Sequence, residues 1–173
     1  MKLEDIKKYI ALYDIESYIF NIIGPSVKKR GYFTFEEFYK ICIWKSPRPK
    51  KKYIKNISAI GEVSRKAFSE TNERSRISVL LKLEGVGLPT ASALLTSVFP
   101  EKYAIIDIRC LEIVRERFND KIGKIISINV WIEYLEEIRK RALEYKITPR
   151  ELEKALFAIH KEKLDKTFKN LYG

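Results

Sequence analysis

Two short stretches hold the residue types that could do chemistry. The first is Leu83-Glu84-Gly85-Val86-Gly87-Leu88-Pro89. Two glycines flank a valine there, so the backbone can adopt positive φ and approach a partner closely. The amides of such a turn and of a helix beginning after it, with the positive end of the helix dipole, suit a phosphate. The same residues would equally serve a tight helix–helix connection with no ligand. The second stretch is Tyr103-Ala104-Ile105-Ile106-Asp107, an apolar segment ending in a carboxylate twenty positions beyond Gly87. A fixed carboxylate can stabilise a developing positive charge and orient or deprotonate water. Asp107 is equally suited to cap a helix running to about Phe118.

The elements that must position these residues are helical. Leu3, Ile6, Tyr9, Ile10 and Tyr13 share one face of a helix over 3 to 13. An apolar segment from Ile15 to Ile23 stops at Gly24-Pro25. Thr34-Phe35-Glu36-Glu37 is a capping box that opens a helix to about Trp44. Residues 56 to 69 place Ile57, Ile60, Val63, Ala67 and Phe68 on one side. Helices over 73 to 83 and 89 to 99 flank the glycine turn, Pro89 standing where no amide hydrogen is needed. Trp131, Leu135, Ile138 and Ala142 form a stripe. Thr148-Pro149-Arg150-Glu151 is a second capping box, opening a last helix with Leu152, Leu156, Ile159 and Leu164. The expected class is all-α, a multi-helix bundle in one domain. A break at residues 45 to 55, with two prolines and six basic residues in KSPRPKKKYIK, reads as an exposed loop and is a candidate boundary between two lobes.

Composition narrows the chemistry. Lys plus Arg number 34 against 23 Asp plus Glu, a net charge of +11 over 173 residues. That balance points to a polyanion. Abundant Lys with no glutamine also resembles hyperthermophile usage, in which lysine is plentiful for other reasons. Cys42, Cys110 and His160 are too few for a four-ligand zinc or iron–sulfur site, and two buried reduced thiols are expected. His160 is expected at the surface or in packing, and Trp131 in the core. No apolar run reaches the roughly 18 residues of a membrane span. The N-terminus is unlike a signal peptide. The expectation is a soluble, cytoplasmic protein without metal or cofactor.

The run L-E-G-V-G-L-P-T-A-S-A-L-L, followed by a proline-containing loop and Tyr103 to Asp107, resembles the helix-hairpin-helix motif of the DNA glycosylase superfamily that includes endonuclease III. The strong resemblance covers about residues 73 to 118, with the hairpin at about 73 to 99. Trp44 to Arg48, WKSPR, also resembles a segment of members of that superfamily. The resemblance implies that Gly85, Val86 and Gly87 grip a phosphate of double-stranded DNA, with a monovalent cation on the turn's carbonyls in many members, and that Asp107 is catalytic. Pro89 stands where lyase-competent members carry a lysine, and a proline side chain cannot form a Schiff base. The four-cysteine cluster loop of some members is missing.

The implied activity is base excision by a monofunctional DNA glycosylase: a base is flipped out and its glycosidic bond is cleaved by water with Asp107 assisting. Such an enzyme needs an aromatic and polar pocket for the base. Trp44 and Lys45 are the candidates, Trp44 to stack and Lys45 to touch the base or a phosphate, or to serve as a displaced amine. Trp44 would be core and Lys45 solvated if neither does so. Arg48, Lys50, Lys51 and Lys52 are expected on phosphates, and Tyr53 either stacks or packs. The rival reading is a non-catalytic DNA-binding or scaffold protein that kept the hairpin.

Overall fold

The computed structural model describes residues 14 to 172, with side chains through residue 165. The helix expected over 3 to 13 lies outside the described residues. Those described are all-α, with no strand among them. They fall into two compact units divided after Pro100, so the basic segment 45 to 55 runs inside the first unit.

The first unit opens with α1 (Ile15–Tyr18), capped by Asp14, and a π-helical stretch (Ile19–Ile23) that passes without a break into α2 (Gly24–Arg30). Gly24-Pro25 was expected to end the helix, and it does not. The amide of Gly24 reaches back to the Ile19 carbonyl, a π-type bond. The return to α register then falls at a proline with no hydrogen to donate. Gly24 also permits close packing: a Cβ there would lie 1.9 Å from the Ser97 carbonyl oxygen. The helix ends instead at Gly31, whose φ is 86°.

Helix α3 (Phe35–Lys45) starts on the expected capping box, with Thr34 and Glu37 bonding each other's amides. Then come α4 (Lys50–Tyr53), a 3₁₀ turn (Ile54–Asn56), α5 (Ile60–Ser69), α6 (Glu73–Leu80) and α7 (Leu88–Val98). The segment read as an exposed loop is therefore largely helical, because Tyr53 turns inward and is fully buried. The helix expected from residue 56 begins at Ile60, and Ile57 is exposed rather than on the buried face. Helix α7 is the centre of the unit, buried from Thr90 to Val98. It packs on α2, α3 and α6. Its buried hydroxyls donate to its own carbonyls, Ser92 to Pro89 at 2.8 Å and Thr96 to Ser92 at 2.7 Å, so burial leaves no orphan there.

The second unit contains the extended, buried segment 103 to 106, then α8 (Ile108–Arg117), α9 (Ile128–Tyr145) and α10 (Pro149–Tyr172). The three helices pack pairwise. Trp131, Leu135, Ile138 and Ala142 are buried, and Trp131 lies parallel to Tyr103 with ring centroids 6.4 Å apart. The Thr148–Glu151 box is formed and α10 starts at Pro149. Its expected stripe is buried at Leu152 and Leu156, but Leu164 is exposed.

Candidate functional site

The turn between α6 and α7 does not use its two glycines alike. Gly85 has φ 80°, in the left-handed region, where an L-residue costs about 1–2 kcal/mol. Gly87 is extended, φ −96° and ψ 175°, and so needs no glycine for its backbone. It is the N-cap of α7 and brings no side chain to cap it, while Pro89 occupies the second helical position. The first-turn amides of Leu88 and Thr90 thus stand ahead of the helix's own carbonyls. Val86 points inward as expected, 7% exposed, and its amide donates to the Leu83 carbonyl at 3.1 Å.

What seats against the turn is the basic segment. A Cβ on Gly85 would lie 2.9 Å from Lys52 Cβ, 3.2 Å from Pro49 Cβ and 3.2 Å from Tyr53 Cδ1. The missing side chain is what lets α4 lie on the turn. Two buried side chains hold it there. Asn56 Nδ2 donates to the carbonyls of Tyr53 and Glu84 at 3.1 and 3.0 Å, and its Oδ1 accepts from the Glu84 amide at 2.8 Å. The Tyr53 hydroxyl donates to the Ser46 carbonyl at 3.0 Å. Burial pushes its phenol pKa up, and a hydrogen bond with Thr90 of α7 draws it back. Lys52 is thereby held with its Cβ against the turn, and Arg48, Lys50, Lys51 and Lys52 are exposed.

Tyr53 therefore packs. Asn56, the residue joining the basic segment to the turn, was not among the sequence candidates. It lies outside any periodic pattern, and its partner Glu84 is 28 residues away. Trp44 is half-buried at the end of α3, edge-on to Phe20 at 6.0 Å and 80°, and Lys45 is half-buried beside it.

Asp107 belongs to the second unit. It caps α8, with Oδ1 accepting from the amides of Arg109 at 3.0 Å and Cys110 at 2.9 Å. The backbone leading into it is held by buried side chains, since segment 103 to 106 has no strand to pair with. The Ile105 amide donates to Glu153 Oε2 at 3.3 Å, and the Ile105 carbonyl accepts from the Tyr134 hydroxyl at 2.9 Å. Glu153 is itself buried and ion-paired with Arg150. Tyr134 has its pKa pushed well up, chiefly by burial and then by the nearby Cys110, Glu153 and Asp107. The carboxylate of Asp107 is thus set on a backbone anchored two residues upstream and remains partly exposed.

Cys42 and Cys110 are buried thiols without a disulfide, and burial pushes the Cys42 pKa up. His160 is nearly buried, its Nε2 3.5 Å from Glu112. Among the described residues no group of His, Cys, Asp and Glu has the arrangement of a metal site. The carbonyls of Leu83, Glu84 and Gly87 already accept from Val86, Asn56 and Ala91. Among the described residues no helix is long and apolar enough to cross a membrane. No family model, curated protein or solved structure matches the chain.

Proposed function

We propose that this chain binds double-stranded DNA and removes a base from it by hydrolysis of the N-glycosidic bond. The helix–turn–helix over residues 73 to 98 is read as the helix-hairpin-helix of an endonuclease III-like DNA glycosylase. The observation that carries the reading is the seating of the lysine-bearing α4 against Gly85. Lys52 Cβ, Pro49 Cβ and Tyr53 Cδ1 approach Gly85, two residues ahead of the uncapped start of α7, and this closeness of a lysine-bearing helix to a helix start supports the reading. Amides at a helix start bind a phosphate without reading sequence, and the cations add affinity through counterion release.

In this reading Asp107 supplies the chemistry. Departure of the base leaves positive charge on the sugar. A carboxylate held by two amides is fixed in place and able to stabilise that cation while orienting water. Water adds to the sugar carbon, its proton is released, and the base leaves with the bonding electrons of the glycosidic bond. Pro89 offers no amine, so no imine intermediate forms at that position.

A second reading, a DNA-binding protein without catalysis, is favoured by one observation: capping already gives Asp107 a structural task. Duplexes carrying single damaged or mismatched bases, incubated with the protein and then treated with alkali, separate the two. Alkali-revealed strand breaks with no borohydride-trapped adduct support hydrolysis. Binding without breaks on any duplex favours the second reading. A trapped adduct overturns the hydrolytic route and brings Lys45 forward as the amine.

A further inference from the structure

Glu153 meets the chain on both sides of Asp107. Upstream, its Oε2 accepts from the Ile105 amide at 3.3 Å. Downstream, its backbone carbonyl accepts from Cys110 Sγ at 3.6 Å. Cys110 is also the residue whose amide donates to Asp107 Oδ1 at 2.9 Å. One residue of α10 thus touches both the segment that enters the cap and the helical turn that leaves it. A buried amide outside any sheet must find a side chain, and at Ile105 that side chain is Glu153.

The same carboxylate oxygen accepts from Arg150 Nη1. The pair is costly where it stands. The two side chains are only 9% and 5% exposed. Taking two charges out of water is offset only by good geometry and further hydrogen bonds, and apolar residues in their place often leave a protein as stable or more so. Arg150 is also the second residue of α10, where the helix dipole opposes a cation. Stability is therefore a poor account of the pair. What it supplies is a charged acceptor in the core, at the point where the backbone leading to Asp107 needs one.

We propose that Glu153 is a positioning residue for Asp107, and that Arg150 serves it by compensating the carboxylate in the core. The bond to Ile105 sets where the Asp107 carboxylate stands against the sugar. A misplacement of about 1 Å at a reacting group can cost on the order of 100-fold in rate. The proposal rests on the reading of Asp107 as the group that assists base removal.

A positioning role asks residue 153 for reach, an acceptor oxygen at Ile105. A role in charge balance alone asks it for charge. Two variants of the full chain separate the two. Glu153→Asp keeps the charge and shortens the side chain by a methylene. Arg150→Met/Glu153→Gln removes both charges and leaves an amide oxygen at full length. Each is compared with the parent for single-turnover base release at saturating protein, duplex affinity, melting temperature, and amide exchange without DNA. Glu153→Asp is expected to release the base about tenfold more slowly or worse at the parent's duplex affinity, with faster exchange at Ile105, Arg109 and Cys110. The Met/Gln variant is expected to keep most of the parent's rate and the protection of those amides, whatever its melting temperature. A Glu153→Asp protein with the parent's rate, or with unchanged exchange at Arg109 and Cys110, overturns the proposal. So does a Met/Gln variant that folds and loses the rate, which would show that the charges matter and the reach does not. If the double variant does not fold, the rate and exchange of Glu153→Asp decide. These outcomes leave the role of Asp107 standing, whereas no base release by the parent on any duplex overturns both this proposal and the reading beneath it.

Discussion

Gly87 is the N-cap of α7 and Asp107 the N-cap of α8, and both have extended backbones, ψ 175° and 171°. Their chemistry is opposite. Gly87 brings no side chain, so the first amides of α7 get no cap from their own N-cap residue. Asp107 brings its own acceptor and closes two amides of α8 with one oxygen. The supporting shells differ in the same sense. Around the turn, buried Asn56 and Tyr53 fix backbone and leave cations outward. Ahead of Asp107, buried Glu153 and Tyr134 fix backbone and leave a carboxylate at its end. One helix start brings no capping side chain and the other caps itself with a carboxylate. An uncapped start and a capped start are thus different devices made from the same backbone.

The largest expected effect is on the presented carboxylate. Asp107→Asn keeps the shape and nearly all the capping ability. It removes the charge, and base release is expected to fall about 100-fold or more at unchanged thermal stability and duplex affinity. Equal release by variant and parent would take Asp107 out of the chemistry and reduce it to a cap.

Stability separates the two glycines. Gly85→Ala puts a Cβ at positive φ and 2.9 Å from Lys52 Cβ, and is expected to cost about 2 kcal/mol or more in urea unfolding. Gly87→Ser meets only Pro89 Cδ at 3.9 Å and is expected to change stability by only a few tenths of a kcal/mol. Similar costs at both positions would mean that Gly87 too is needed for the fold.

A smaller effect is expected in alkali. Cys42 and Tyr53 in the first unit, and Tyr134 in the second, all have raised pKa values, from ordinary values of 9.0 for Cys and 10.0 for Tyr. A raised value means that the folded state holds its proton more tightly. Above pH 9–10 the unfolded chain gives up protons that the folded chain keeps. The stability from these groups is complete below that range and declines as pH rises through it. Tyr53→Phe is expected to flatten the decline in the first unit, and Tyr134→Phe in the second. A flat profile above pH 10 would show that these groups titrate normally.

Much of this was legible in the sequence for local reasons. Capping boxes at Thr34 and Thr148, the stripe through Trp131 and the cap at Asp107 are written within four to twelve consecutive positions, and each formed as expected. The misses were tertiary. Nothing near Gly24-Pro25 says that Ser97 will pack against it, so a helix that continues looked like one that stops. Nothing in KSPRPKKKYIK says that Tyr53 will be buried, so a short helix looked like a loop. The roles of Gly85 and Gly87 could not be told apart without φ, and the Asn56–Glu84 bonds span 28 residues. The types of the candidate residues were readable. What joins α4 to the turn was not, because it rests on the close approach that an absent side chain allows.

The central claim is that the open start of α7 beside the lysines of α4 holds a DNA phosphate, and Gly87→Asp tests it directly. An aspartate there would cap α7 from within, as Asp107 caps α8, leaving the fold as stable as the parent or slightly more so. Its carboxylate would fill the place of the phosphate. Duplex affinity, measured across a salt series for unrelated sequences, is expected to fall by the same factor for every sequence. The log–log salt slope should become shallower by about 0.9 for each phosphate that the variant no longer neutralises. A folded Gly87→Asp protein that binds every duplex as tightly as the parent, with the same slope, would contradict the account.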